Sequence, residues 1–94
     1  MIVWVEFVVM AQHRAAFLER VLGQARDSMA LEPACQRFDV ATDGRHDDRV
    51  LLYEIYDDAA AFDAHLASAH FKAFDAEVTP WILSKKVELL DGPL

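Results

Sequence analysis

Glycine is scarce in this chain. Only three of the 94 residues are glycine, and none of them stands in a GxGxxG or GxxxxGK[ST] pattern. Those patterns hold the phosphates of nucleotide cofactors, because glycine lets the backbone approach a phosphate closely. The sequence therefore offers no physical basis for a dinucleotide site or a phosphate-binding loop.

Cysteine is scarcer still, since Cys35 is the only one. A single thiol cannot form an internal disulfide or a CxxC zinc or redox pair. A lone cysteine within an apolar strand is most often a small core residue, which is the role we predict for it. The histidines also lack a recognised metal spacing, since His65 and His70 are five residues apart and no HExxH occurs. We therefore predict neither a metal site nor a cofactor.

Basic residues are outnumbered, with nine against 16 acidic ones and a net charge of -7. They form no stripe, so a nucleic-acid partner is not expected. No stretch approaches the roughly 20 apolar residues of a membrane span. The first residues lack a basic segment and carry Glu6 inside their apolar run, so they do not resemble a signal peptide, and a cytoplasmic location is expected.

Apolar residues, by contrast, are abundant at 54% of the chain. This exceeds the roughly 45 to 50% of a typical globular protein. A chain this short has a modest core, so the excess predicts a partner subunit, most simply in a homodimer.

The periodicity of the sequence predicts seven elements. Strands are expected over 2–10, 35–42, 49–56 and 85–90, and helices over 13–30, 59–69 and from 71 to about 82. The polar loop 43–48 makes a hairpin of the second and third strands. Counting the last two helical pieces together, the order is β-α-β-β-α-β, that of a ferredoxin-like α+β fold in one domain over 1–94, with an antiparallel sheet and its helices on one face.

Side-chain alternation predicts which residues lie on the sheet face that has no helix. On the first strand Val3, Val5 and Phe7 suit the helix side. On the third strand the more apolar set is Leu51, Tyr53 and Ile55, which we assign to that side as well. The residues expected on the open face are Trp4, Glu6, Arg37, Asp39, Leu52, Glu54 and Tyr56. Such a mixture of bulky and charged groups predicts a second subunit over this face, or a small-molecule site.

Four successive segments resemble the antibiotic biosynthesis monooxygenase family. They are PACQRFDV at 33–40, LYEIYDD at 52–58, AFDAHL at 61–66 and HFK at 70–72. The resemblance implies a dimeric α+β barrel of two ferredoxin-like subunits, each with a pocket between its sheet and its helices. It also implies oxidation of a quinol or anthrone by molecular oxygen without flavin, haem or metal.

Two other branches of the family differ in how far this chain resembles them. Isomerases of the phosphorylated autoinducer-2 signal resemble the chain around 37–40, Tyr53-Glu54 and His70. Haem-degrading members carry an asparagine, a tryptophan and a histidine where this chain has Glu6, Tyr56 and Asp75. Without the histidine that ligates iron, haem degradation is not expected.

A cofactor-free oxygenase must help a phenol or quinol lose a proton, because the anion passes an electron to oxygen far more readily. We predict His65 as the base, since its unperturbed pKa is near 6.5. Glu54 would orient it or the substrate, and Arg37 would steady the oxyanion. Residues expected to contact the substrate are Trp4, Glu6, Asp39, Tyr56 and His70.

The same groups could serve an isomerase, because abstracting a proton beside a carbonyl also needs a base. A phosphorylated ligand would want several cations, and the chain offers mainly Arg37, with Lys72 or the Lys85-Lys86 pair. This scarcity favours an uncharged aromatic substrate. A dimeric module that only binds a small molecule is a third possibility, and turnover with no added cofactor would separate it from an enzyme.

Overall fold

A computed structural model describes all residues from Met1 to Leu94. The strands are β1 (Ile2–Val9), β2 (Cys35–Asp43), β3 (His46–Tyr56) and β4 (Ile82–Leu90), and the helices are α1 (Arg14–Leu31), α2 (Ala59–Ala67) and α3 (Ala69–Val78). Short 3-10 turns at Ala11–His13 and Thr79–Trp81 lead into α1 and out of α3. All the predicted elements are present, with ends that move by a few residues.

The four strands form one antiparallel sheet in the order β2-β3-β1-β4. The helices lie on one face of it, with α1 packed against β2 and α3. This arrangement confirms the predicted ferredoxin-like α+β fold. The edge strand β4 is exposed along most of its length, since no helix covers it.

Two polar side chains set the ends of the second helical region. Asp58 accepts a hydrogen bond from the backbone N–H of Ala61 at 2.8 Å and caps α2. Ser68 divides α2 from α3, because its hydroxyl donates to the His65 carbonyl and accepts from the N–H of Phe71. This break lies within two residues of its predicted position. It directs the side chains of His65 and Phe71 into the same region between the sheet and the helices.

The core lies between the sheet and the helices. Val3, Val5 and Phe7 of β1 are at most 5% exposed, as the alternation of that strand predicted. They pack on Phe17 of α1 and Phe74 of α3, which belong to the same buried cluster. Burying side chains of this size stabilises the fold by roughly 1.5–3 kcal/mol each.

The predicted orientation of β3 is wrong. Leu52, Glu54 and Tyr56 are at most 3% exposed and face the helices, whereas the set predicted to face them lies on the open side. Cross-strand pairing explains the orientation, because Glu54 stands opposite two core residues, Val3 of β1 and Phe38 of β2. Directly paired residues share a face of the sheet.

The physical reason for the error is that both sets of β3 side chains are almost equally apolar. The prediction placed Glu54 outside because Leu51, Tyr53 and Ile55 are the more apolar set, and burying a carboxylate is costly unless it is hydrogen-bonded. In the structure it has such a bond and borders a cavity. No helix of the chain is long and apolar enough to span a membrane.

Candidate active site

A cavity of about 280 Å³ lies between the sheet and the helices. Eleven of its 15 lining residues are hydrophobic. The cavity opens between α2 and β4, where the lining residues Leu66, Val87 and Leu89 are exposed. The polar lining residues are Gln24, Glu54, His65 and Lys85. A mostly apolar cavity with a few converging polar groups is typical of a small-molecule site.

His65 is the most enclosed of the titratable groups in this cavity, at 2% exposure. Its ring lies 5.0 Å from that of Phe71 and 5.3 Å from that of Tyr56, measured between centroids. Burial lowers the pKa of His65, and the nearby carboxylate of Glu32 opposes this effect. The imidazole is therefore neutral at pH 7 and able to accept a proton.

Glu32 determines which nitrogen of His65 is free. Its carboxylate oxygen Oε2 lies 2.7 Å from His65 Nδ1. A carboxylate only accepts hydrogen bonds, so Nδ1 carries the proton and Nε2 keeps its lone pair. Glu32 thus takes the orienting role that the sequence analysis gave to Glu54.

His70 and Gln24 continue this network of polar contacts beyond Glu32. His70 Nε2 lies 2.8 Å from the same carboxylate oxygen, but the geometry is not that of a hydrogen bond. Its Nδ1 lies 3.2 Å from the amide nitrogen of Gln24, which also contacts Ser28 Oγ at 3.4 Å. The Ser28 hydroxyl donates its proton to the backbone carbonyl of Gln24 at 2.8 Å, so its oxygen can accept from the Gln24 amide nitrogen.

Two atoms of this network, His70 Nε2 and Gln24 Oε1, have no hydrogen-bond partner. Gln24 is 1% exposed, lines the cavity, and its oxygen Oε1 makes no hydrogen bond. A buried amide oxygen without a donor costs roughly 1–3 kcal/mol.

Glu54 is the second titratable group. It is 3% exposed, and the hydroxyl of Tyr56 donates to its Oε1 at 2.6 Å. Burial raises the pKa of Glu54 to about 7, with the Tyr56 hydrogen bond and the charge of Lys85 acting in the opposite direction. The carboxyl group is thus partly protonated at neutral pH. Burial raises the pKa of Tyr56 too, so its phenol stays neutral.

Lys85 is the only lysine or arginine that lines the cavity. Its ammonium lies 5.6 Å from the centre of the Phe7 ring and takes part in no ion pair of the chain. The neighbouring Lys86 points to the opposite face of β4 and pairs with Glu88 at 3.0 Å. Two adjacent lysines thus occupy different environments, and only one of them can reach a ligand in the cavity.

Glu32, His65 and His70 also form a set that could hold a metal ion. Their ligand atoms all lie within 4.8 Å of one another. Two histidines and a glutamate suit zinc among other transition metals. Sequence spacing missed this set because Glu32 lies on a different element from the histidines. In the structure its carboxylate is already the hydrogen-bond acceptor of His65.

The structure divides the predicted site residues between the two faces of the sheet. His65 and Glu54 line the cavity, Tyr56 supports both, and His70 reaches it through Glu32 and Gln24. The remaining four lie on the helix-free face and take no part in the cavity. They are Trp4, Glu6, Arg37 and Asp39.

Three of these four residues form ion pairs on that face. Arg37 pairs with Asp39 at 2.6 Å in an exposed ion pair, which is worth little. Glu6 pairs with Arg49. None of the four lines the cavity, so Arg37 lies on the other face of the sheet from Glu54.

Cys35 has the predicted core role. It is 4% exposed, and burial raises the pKa of its thiol to about 11. The thiolate is scarce at neutral pH, so this residue is a poor nucleophile.

Two site residues, Gln24 and Glu32, were not predicted from the sequence, and Lys85 was considered only as a cation for a phosphorylated ligand. Gln24 offered a signal, because it lies on the α1 face that carries Val21, Ala25 and Ser28, where a polar side chain needs a partner. Lys85 could be placed at the cavity only once the register of β4 against β1 was known.

Comparison with known proteins agrees with the fold. A family model described as antibiotic biosynthesis monooxygenase matches residues 1–77. No curated protein sequence matches the chain.

Solved structures superpose closely. A Nitrosomonas europaea protein, provisionally assigned as an antibiotic biosynthesis monooxygenase, is 26% identical with a TM-score of 0.92, over 97% of this chain and 88% of that one. Proteins with the same provisional assignment from Caulobacter crescentus and Bacteroides thetaiotaomicron are 23% and 21% identical, with TM-scores of 0.93 and 0.91. They cover 99% and 100% of this chain, and 89% of each of theirs. At these last two identities the likeness shows the fold alone. The family match over most of the length decides the affiliation, and the chain belongs to the antibiotic biosynthesis monooxygenase family.

Proposed function

We propose that this chain is a cofactor-independent monooxygenase that oxidises a small quinol-type aromatic compound with molecular oxygen. The observation that carries the proposal is a pair of titratable groups on one apolar cavity whose pKa values shift in opposite directions. Burial lowers the pKa of His65 and raises that of Glu54 to about 7. Opposed shifts of this kind separate a base from an acid at neutral pH.

His65 is the base in this mechanism. Its Nε2 has a free lone pair because Nδ1 is bound to Glu32. It takes the proton of a substrate hydroxyl, and the imidazolium that forms is stabilised by the Glu32 carboxylate 2.7 Å away. The substrate becomes an electron-rich anion that can transfer an electron to oxygen.

Glu54 is the acid. With Oε1 occupied by the Tyr56 hydroxyl, its protonated second oxygen can donate into the cavity. The neutral carboxyl avoids repulsion with the substrate anion, and it supplies a proton when the oxygen–oxygen bond breaks. One oxygen atom enters the organic product and the other leaves as water, with the two electrons coming from the substrate.

The size and polarity of the cavity support an aromatic substrate. An apolar cavity of roughly 150 Å³ accepts benzene, so about 280 Å³ leaves room for one or two rings. Phenylalanine rings at positions 7, 38, 62, 71 and 74 make up much of the wall. The isomerase alternative is less favoured, since a phosphorylated ligand would meet one cation, Lys85, beside the Glu54 carboxyl.

Oxygen consumption by the purified chain tests the proposal. A panel of quinols and anthrones should be oxidised in air-saturated buffer with no added cofactor, and an excess of a metal chelator should leave the rate unchanged. Loss of activity on chelation would place a metal at Glu32, His65 and His70 instead. Binding of the panel without any oxygen uptake would identify a binding module rather than an enzyme.

We also infer that a second copy of the chain covers the helix-free face of the sheet. Trp4, Tyr53 and Ile55 lie there half-buried, with the rings of the first two 6.3 Å apart. A contiguous aromatic patch of this kind is typical of a subunit interface. Light scattering at micromolar concentration should therefore give twice the chain mass. Trp4→Glu should shift the protein toward monomer, whereas His46→Ala, in the exposed hairpin, should not; a monomeric wild type would overturn the inference.

A further inference from the structure

We propose that Glu32, His65 and His70 form a binding site for a zinc ion, and that the bound ion inhibits the chain by changing which nitrogen of His65 carries the proton. The ion is thus a regulator and not a cofactor of the reaction. Zinc binding is argued from the geometry of the three residues alone, whereas the inhibition rests on the proposed function, in which His65 is the base.

The three ligand atoms are already gathered around one carboxylate oxygen. Glu32 Oε2 lies 2.7 Å from His65 Nδ1 and 2.8 Å from His70 Nε2, and the ligand atoms all lie within 4.8 Å of one another. In a tetrahedral zinc site, nitrogen and oxygen ligands stand roughly 2.0–2.2 Å from the ion and so roughly 3.3–3.6 Å from one another. Only a small outward displacement of the Glu32 carboxylate is therefore needed to admit the ion.

His70 Nε2 is the ligand atom with the poorest surroundings. It is buried and makes no hydrogen bond, although the Glu32 carboxylate lies beside it. No lysine or arginine forms an ion pair with Glu32, whose only ionic contacts are the two histidines. A divalent cation between the carboxylate and this nitrogen gives both of them a partner, and the net charge of -7 favours its approach.

Gln24 can orient His70 as a ligand. A histidine that binds a metal through one ring nitrogen donates the N–H of the other, in most sites, to an oxygen. The amide of Gln24 lies 3.2 Å from His70 Nδ1, and its Oε1 makes no hydrogen bond. A half-turn of the amide places Oε1 against an Nδ1–H and leaves Nε2 free for the ion. The change gives up a long contact of 3.4 Å with Ser28 Oγ and provides partners for two buried atoms that had none.

The ion can reach this site from solvent. The side chains of Glu32 and His70 are 15% and 13% exposed. The carboxylate that covers His70 Nε2 belongs to the partly exposed Glu32 itself, so a rotation of that side chain uncovers the nitrogen. Three protein ligands leave the fourth position of a tetrahedral zinc ion to a water molecule.

Zinc at this site removes the base of the proposed reaction. Without the ion, His65 Nδ1 carries the proton and Nε2 has the lone pair. Zinc takes the lone pair of Nδ1, so the one proton of the neutral imidazole moves to Nε2. The proton of His70 moves from Nε2 to Nδ1 in the same way, and no net proton is gained or lost. His65 Nε2 then donates a hydrogen bond and cannot accept the proton of a substrate hydroxyl.

Calorimetric titration of the metal-free chain with zinc, in the absence of substrate, tests the site separately from the reaction. The wild type should bind one zinc ion per chain, and magnesium, which prefers oxygen ligands, should not bind. Gln24→Met should weaken zinc binding by roughly 10–100-fold, the usual effect of losing an outer-shell partner. His70→Gln, which loses a ligand, should weaken it further. His46→Gln, in the exposed hairpin, is the matched control and should bind zinc as the wild type does.

Two further measurements test the inhibition. Nitrogen-15 NMR of the histidine rings should show the His65 proton moving from Nδ1 to Nε2 when zinc is added. Zinc should lower quinol oxidation by the wild type on the order of 10²-fold, as expected for loss of a general base, and a chelator should restore it. His70→Gln, shown to be folded by circular dichroism, should keep its own zinc-free rate at the same zinc concentration.

The absence of a one-to-one zinc complex in the wild type would overturn the site, and so would equally tight binding by His70→Gln. Unchanged oxygen uptake or an unchanged His65 tautomer in the zinc-bound wild type would overturn the inhibition. A wild type that binds zinc, shows the tautomer change and oxidises no quinol would support the site and refute only the proposed function.

Discussion

Replacing His65 with alanine is expected to lower quinol turnover on the order of 10²-fold or more, the usual contribution of a general base. No other histidine lines the cavity. Lys85 is cationic, and Glu54, with a pKa of about 7, is half protonated at neutral pH. The loss should appear in kcat, because the proton transfer belongs to the chemical step.

Steady-state oxygen uptake at saturating quinol measures this effect. His46→Ala is the matched control, since that histidine is exposed in the hairpin away from the cavity. Because His65 is buried, circular dichroism must first show that the variant is folded. Glu32→Gln provides a second test that retains the fold more readily: it still accepts a hydrogen bond from Nδ1 but no longer stabilises the imidazolium, so its rate should fall by a smaller factor. Wild-type rates in both variants would remove the pair from the mechanism.

The second large effect is expected from Glu54, through the dependence of kcat on pH. The base must be neutral, so activity falls as the pH drops through the lowered pKa of His65, below about 6.5. The acid must be protonated, so activity also falls as the pH rises through about 7. The profile should therefore be bell-shaped, with its maximum below pH 7.

Glu54→Gln separates the two limbs. Glutamine cannot titrate, so the alkaline limb should disappear while the acidic limb remains, and the rate should fall on the order of 10²-fold for loss of a general acid. Glu88→Gln, on the side of β4 that faces away from the cavity, is the control and should keep the bell-shaped profile. An alkaline limb that persists in Glu54→Gln would assign that titration to another group.

Much of the fold could be predicted from the sequence, because local patterns determine it. Valine-rich β1 has one wholly apolar set of alternate side chains, and its orientation was correct. In β3 both sets are apolar except for Glu54, and the orientation was wrong. Only the pairing of Glu54 with Val3 and Phe38 resolves it, and pairing is a property of the assembled sheet.

The candidate site shows the same division. His65 and Glu54 were identified from the sequence, but their partners were not. Glu32 lies 33 residues before His65, and the two meet only in the folded chain, where the residue that ends α1 contacts α2. Arg37 was predicted to bind the anion together with Glu54 on the open face of the sheet, whereas tertiary structure brings Lys85 to the cavity instead.

Isotopically labelled dioxygen tests the central claim most directly. The purified chain, with a metal chelator present, is supplied with labelled dioxygen and a quinol that it turns over. The product is then analysed by mass spectrometry. The account predicts that the product gains one labelled oxygen atom per molecule, that the other atom appears in water, and that His65→Ala loses this incorporation. A product without label, with the oxygen released as hydrogen peroxide, would contradict it.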